Sequence, residues 1–201
     1  MPTHPATPTP TLAPVELKKA YRLLNHGPTV LISAEHAQQR NVMAAAWACA
    51  LDFDPPKVTV VLDKSSYTRS LIERCGYFAL QIPCKAQIAL TLAVGTESAH
   101  DVPNKLEKHQ VSLFYPSGYE NIPLVSGCVG WLICRVMDEP HNQQTYDLFI
   151  GEVVAAWSDT RVFRDGHWLF DEADDDLRSI HYIAGGQFYV TGDSVHLREY
   201  D

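Results

Sequence analysis

"RNVMAAAWACALDFDPPKVTVVLDKSSYTRSLIERCG", residues 40–76, is the stretch on which the fold turns. Ala44, Ala45 and Ala46 stand where a strand normally carries bulk, and Trp47 follows them. A valine-rich strand (57–63) then runs behind Pro55-Pro56. After it, Ser65, Ser66, Tyr67 and Thr68 open a helical stretch (66–75) that ends at Gly76.

Each half of this stretch has a plain structural reading and a chemical one. Small residues let a strand pack tightly against a helix, and they also let a flat ligand approach the main chain. Asn41 could then hydrogen-bond such a ring and Trp47 could wall it. Hydroxyls at a helix start cap it, and Ser70-Leu-Ile-Glu73 already makes a capping box. Yet Ser65, Ser66, Thr68 and Ser70 beside Lys64 and Arg69 exceed what one cap needs. Helix-start amides and partial positive charge suit a phosphate. Together the two halves would seat a planar ring and a phosphate of one ligand, the shape of flavin mononucleotide.

Working outward, "PVELKKAYRLLNHG" predicts a helix with Pro14 in its first turn, Leu17, Ala20, Tyr21 and Leu24 on one face, and Gly27 as its stop. Strands are expected at 29–35, 42–51, 77–83, 127–139 and 146–159, with Cys128, Gly130, Leu132 and Cys134 on one face of the fourth. "KAQIALTLAVGT" and "PNKLEKHQ" read as further helices, and Gly185-Gly186 as a turn between "HYIA" and "QFYV". Short strands without regular βαβ alternation predict a mainly β fold, a closed or nearly closed antiparallel barrel with a few covering helices. A Pro/Thr-rich arm (1–14) precedes a single domain (15–201).

The chain has 201 residues and a net charge of -8, which gives no attraction to nucleic acid or anionic membrane. Neither a membrane-length apolar run nor a secretory leader is read. Five cysteines without a C-x-x-C pair read as reduced, buried thiols of a cytoplasmic protein. No zinc or other metal site is expected from the histidine spacings, and "DEADDD" (171–176) reads as a solvated surface. His26 and His36 are expected at the surface, and His181 either as a structural histidine or lining the site. Dinucleotide and P-loop glycine fingerprints are absent, so any nucleotide is held another way.

With these blocks in view, the sequence resembles the flavin reductase-like family, in its flavoredoxin-type branch. "RLLNHGPTVLIS", the stretch from "NVMAAAW" to "YFALQIP", "GEVVAAWSDTRVF" and "HYIAGGQFYV" carry the likeness, from about Tyr21 to near Val195. The resemblance implies a dimeric split β-barrel binding FMN at or near the subunit interface. Carried over by position, Asn41, Val42, Met43, Ala44 and Ala46 would meet the flavin ring with Trp47 beside it. Ser65, Ser66, Tyr67 and Thr68 would serve the phosphate, and Lys105, or else Lys108, would supply a lysine. Relatives commonly carry threonine where this chain has Ala44, which puts a side-chain hydrogen bond to the flavin in doubt.

The function so implied is reduction of flavin by NADH or NADPH, with free flavin or a redox protein as acceptor. Hydride transfer needs two stacked rings and little acid–base help, so no general acid or base is assigned. Two alternatives stand beside it: an electron carrier with permanently held FMN, and a barrel that binds FMN without redox use.

Overall fold

The fold is that of a computed structural model and is described for residues 12–195. Its strands are β1 (Leu12–Pro14), β2 (Val30–His36), β3 (Gln39–Ala45), β4 (Ala48–Phe53), β5 (Pro56–Val61), β6 (Tyr77–Ile82), β7 (Leu113–Phe114), β8 (Leu124–Val125), β9 (Gly130–Val136), β10 (Leu148–Asp159), β11 (Phe163–Arg164), β12 (His167–Trp168), β13 (Ile180–Ala184) and β14 (Gln187–Val190). The α-helices are α1 (Tyr67–Cys75), α2 (Ile88–Thr96), α3 (Lys105–Lys108) and α4 (Pro140–Thr145).

One antiparallel sheet runs in the order β3-β2-β6-β9-β10-β5-β4, with β1 added on β10. Its two edges, β3 and β4, are consecutive in the chain, with only Ala46 and Trp47 between them. A sheet whose opposite edges are joined by two residues must curl until those edges nearly meet. The result is an antiparallel barrel split along one seam, as the sequence predicts. The expected single strand over 42–51 is therefore two strands, broken at Ala46-Trp47 where the chain crosses the seam.

Alternation along the central strands fills both sides of the sheet. Ile32, Leu80, Leu132 and Cys134 enter the barrel with Phe78 and Phe149. Leu31, Ala79, Trp131 and Ile133 point outward, where Val94 of α2 and Leu124–Val125 cover them. Cys128 belongs to this outer group, so it does not share a face with Leu132 and Cys134. Inside the barrel Gly151 has no alternative, because an added Cβ would stand 2.6 Å from the Phe78 ring.

The predicted first helix is replaced by shorter elements. Pro14 closes β1 opposite Trp157, and Leu17–Leu23 winds as a 3-10 helix. The tighter winding buries Ala20 and Leu23 while Leu17 is 39% exposed. Of the expected N-terminal arm, residues 1–11 lie outside the described residues, and Leu12–Pro14 is strand held on β10. The cysteine reading needs one correction: Cys84, Cys128 and Cys134 are buried, but Cys49 faces outward from edge strand β4. The acidic segment is ion-paired, Lys85 and Arg178 both meeting Asp175. Among the described residues no helix is long and apolar enough to cross a membrane.

Candidate functional site

Edge strand β3 carries a helix on each face. Its odd-numbered side chains turn to the head of α1, where Asn41 Nδ2 donates to Thr68 Oγ1 (2.9 Å) and Ser66 Oγ donates to Met43 Sδ (3.0 Å). Its even-numbered side chains, Val42 and Ala44, turn outward with the cluster that includes Val94 of α2. Here the small residues have their reason: a methyl added to Gly95 of α2 would lie 3.0 Å from the Ala44 Cβ. The strand is small because a helix lies nearly on its backbone.

The head of α1 is a polar corner. Ser66 is the N-cap and accepts from Arg69 N at 3.4 Å, while the remaining first-turn amides have no intrahelical acceptor. Ser65 is exposed, and its hydroxyl and amide both donate to Asp63 Oδ1 (2.6 and 2.8 Å), which holds the Asp63 carboxyl below its ordinary range. Tyr67 meets the His100 ring edge-on at 5.1 Å. Thr68 is fully buried, so its side chain fixes Asn41 and does not face solvent. The Asn41 Oδ1, also buried, has no hydrogen-bond partner among the described residues.

Arg69 does not serve this corner as a free charge. Its guanidinium runs back beneath the helix, to Leu62 O (2.9 Å), Gln143 O (2.9 Å), Asp147 Oδ1 (2.6 Å) and Glu73 Oε1 (2.8 Å). It also lies over the Phe149 ring at 5.1 Å. Lys64 remains as the exposed cation beside the corner, 3.7 Å from Asp147.

On the other face of β3 a cleft of about 190 Å³ opens between the strand, α2 and the β13–β14 hairpin. Ala44, Ala45 and Ala46 form its strand side, Thr91, Leu92, Gly95 and Thr96 its helix side, and Thr29, Tyr182 and Phe188 complete it. Sequence reading missed the helix and hairpin walls; Gly95 inside a helical run was the available signal for a close approach. Trp47 is not among the lining residues and stands 75% exposed at the seam. Val42 is buried in the outer core.

Lys105 is 1% exposed and lies under the end of α2. Its ammonium donates to Val94 O (2.9 Å) and Glu97 O (2.7 Å), and burial lowers its pKa to about 8. It thus closes the C-terminus of the helix that walls the cleft. Lys108 instead reaches the Glu97 carboxylate at 2.5 Å. His26, expected at the surface, packs edge-on to Trp168 and Phe170 and hydrogen-bonds Ser179 Oγ at 2.7 Å. Its pKa falls to about 4 through burial and the neighbouring His181. His181 itself is bonded to Gly27 O and Thr191 Oγ1, as a structural histidine should be.

The corner and the cleft suit opposite ends of one ligand. Met43 touches one and Ala44 lines the other, so they meet at consecutive residues of a strand paired only on its β2 side. A ligand wrapped over the free edge reaches both faces and meets unpaired main-chain groups as it passes. The unpartnered Asn41 Oδ1 and the open amides at the head of α1 provide polar contacts at one end, and an apolar slot lies at the other.

Comparisons with known proteins bear on the family and the fold. A family model described as flavin reductase like domain matches residues 22–174. The crystal structure of an FMN-binding domain of flavin reductases-like enzyme from Shewanella baltica OS155 is 57% identical, with a TM-score of 0.92 over 94% of this chain and 98% of that one. An uncharacterized protein of Escherichia coli K12, YddH, is 43% identical over 185 residues, 90% of this chain and 96% of its own length. The flavoredoxin of Desulfovibrio vulgaris (Miyazaki F) has 20% identity and a TM-score of 0.72 over 98% of this chain and 97% of that one, a likeness of fold alone.

Proposed function

The chain belongs to the flavin reductase-like family, and from that premise we propose that it binds FMN over the free edge of β3 and acts as an NAD(P)H-dependent flavin reductase. The observation that carries the reading is the meeting of a phosphate-ready helix head and an alanine-lined slot at Met43 and Ala44. The Shewanella baltica relative, named as FMN-binding, supports the choice of ligand.

When bound, FMN supplies a ring that takes two electrons from a nicotinamide and passes them on. The chain's own residues do the holding. Ser66 and the first amides of α1 take the phosphate, with Lys64 adding positive charge. Thr68 keeps Asn41 in place beneath that corner. Ala44, Ala45 and Ala46 leave the strand bare for the ring, and Leu92, Tyr182 and Phe188 keep water from it. No side chain of the cleft is assigned a proton-transfer role.

The second copy expected from the family belongs to the same proposal. Trp47, Leu51 and Phe53 are 75%, 51% and 65% exposed along the seam and edge strand β4. An apolar edge strand of this kind is normally covered.

The test is an anaerobic titration of the purified protein with FMN, followed by NADH or NADPH. Saturable yellow binding with steady nicotinamide oxidation is expected. Binding without nicotinamide oxidation would turn the assignment to an electron carrier, and failure to bind FMN would remove it. Sedimentation of the same sample reads the dimer.

A further inference from the structure

Three threonines line the cleft: Thr29, Thr91 and Thr96. Two of their hydroxyls are committed within the protein. Thr29 Oγ1 accepts from Tyr182 N at 2.6 Å. Thr96 Oγ1 donates back along its own helix, to Leu92 O at 2.9 Å and Ala93 O at 3.3 Å. Thr91 is different. It is 1% exposed, and its Oγ1 has no hydrogen-bond partner among the described residues.

A threonine inside a helix can bond the carbonyl four residues back, as Thr96 does in the same helix. A hydroxyl buried without a partner costs stability, and valine would fill the same space without that cost. The strand side of the cleft offers only Ala44, Ala45 and Ala46, which have no polar side-chain atom. Apart from the committed hydroxyls of Thr29 and Thr96, the cleft is walled by alanine, glycine, leucine and aromatic side chains. One unsatisfied hydroxyl in an apolar slot fits a ligand that is flat and mostly apolar but carries a hydrogen-bonding group on its rim.

We infer that Thr91 is the specificity-determining contact of this cleft, its hydroxyl hydrogen-bonding a carbonyl or ring nitrogen of the heteroaromatic ring that lies on Ala44–Ala46. This rests on the FMN reading above, and it assigns the polar contact to α2 and not to β3. The same hydroxyl is a liability without ligand and an asset with it.

Thr91→Val and Thr91→Ser separate the two halves of the claim. Without ligand, Thr91→Val is expected to melt about 2–4 °C higher than wild type. Its dissociation constant for FMN is expected to rise roughly three- to tenfold. Riboflavin, which has the ring without the phosphate, should weaken by the same factor. Thr91→Ser, which keeps the hydroxyl, should bind FMN within about twofold of wild type. A purely structural hydroxyl would move stability and affinity in the same direction, or move neither. A Thr91→Val protein that melts lower without ligand, or binds FMN as tightly as a wild type that does bind it, overturns this inference alone. So does a loss seen with FMN and not with riboflavin. A wild type that takes up no FMN overturns both this inference and the reading beneath it.

Discussion

On one face of β3 the helix α1 is fastened by ions and hydrogen bonds, while on the other α2 lies against alanine and glycine with scarcely a polar contact. The α1 side spends Arg69, Glu73, Asp147, Asn41 and Thr68 on fixing a helix head. The α2 side relies on close approach, Gly95 over Ala44, and on Lys105 closing the helix end from below. The contrast follows from what each face must receive. A phosphate needs donors held still at a helix start, and holding them takes directional bonds. A flat ring needs a smooth slot, and small residues make one. The variants below act on one face and leave the other alone.

Arg69→Ala should have the largest effect. The side chain is 6% exposed and satisfies two carbonyls and two carboxylates, so its loss leaves Asp147 and the Leu62 carbonyl without their partner. Losing this buried guanidinium, whose carboxylate partners are partly exposed, while two carbonyls go unpaired costs about 2–4 kcal/mol. For a chain of this size that is a fall in melting temperature of roughly 10 °C, read by calorimetry. Arg69→Lys keeps the charge but not the fork, and should recover less than about half of it. An Arg69→Ala protein as stable as wild type would mean that α1 is held by packing, and the contrast between the faces would collapse.

Next in size is acid. The hairpin that completes the cleft hangs on a chain of contacts from His26 through Ser179 and Thr191 to His181. His26 has its pKa lowered from 6.5 to about 4, so the unfolded chain binds the proton more readily than the folded one. Stability from this group is complete above about pH 6.5 and is lost as pH falls toward 4, by up to about 3 kcal/mol. His26→Phe should flatten that part of the pH–stability curve. Asp63, by contrast, has its carboxyl held below the ordinary range by Ser65, and the α1 corner should keep its form through the same window.

How much of this was legible beforehand divides along the same line. The antiparallel barrel, the stop at Gly76 and the hairpin turn at Gly185-Gly186 could be read from local chemistry, whereas the capping box expected at Ser70 lies inside α1, where Ser70 donates to Tyr67 O and Ser66 is the cap. Those signals are carried by neighbours in sequence. The path of Arg69 could not be read, because its partners Gln143 and Asp147 lie more than seventy residues away and only Glu73, one helical turn on, is an acid close to it in sequence. Lys105 was named only through the family resemblance, as a lysine for the flavin, and its burial could not be read; its acceptors are main-chain carbonyls at the end of α2, which no side-chain pattern announces. Ala44 was ambiguous between helix packing and ligand approach; the structure shows the packing, with Gly95 crowding one part of the strand, and a cleft opens over the rest. Trp47 misled because an aromatic next to a small-residue run suggests a wall, whereas at a seam it is turned outward.

Gly95→Val tests the α2 face directly. The added side chain must enter space where even a Cβ stands 3.0 Å from Ala44. Overpacking of this kind costs about 1–3 kcal/mol, partly offset by the better helix propensity of valine over glycine. The net loss, measured by urea unfolding, should shrink when Ala44→Gly is added to the same chain. Independent, additive effects of the two substitutions would show that α2 and β3 do not in fact touch there.

The smallest effect separates two neighbouring hydroxyls at the other face. Ser66→Ala removes the cap of α1 and the contact with Met43, and should cost about 1 kcal/mol. Ser65→Ala removes an exposed hydroxyl that bonds only to the Asp63 carboxylate, and should stay within about 0.5 kcal/mol. Sequence alone ranks these serines equally; the geometry does not, because Ser66 ties the helix to β3 and Ser65 ties a turn to itself. If FMN titration follows the same order, with Ser66→Ala weakening binding and Ser65→Ala leaving it nearly unchanged, the corner recognises its ligand through the groups that fix α1 against the strand. Equal losses for the two would mean that the ligand takes Ser65 away from Asp63, and that this corner rearranges on binding while the slot across the strand stays as it is.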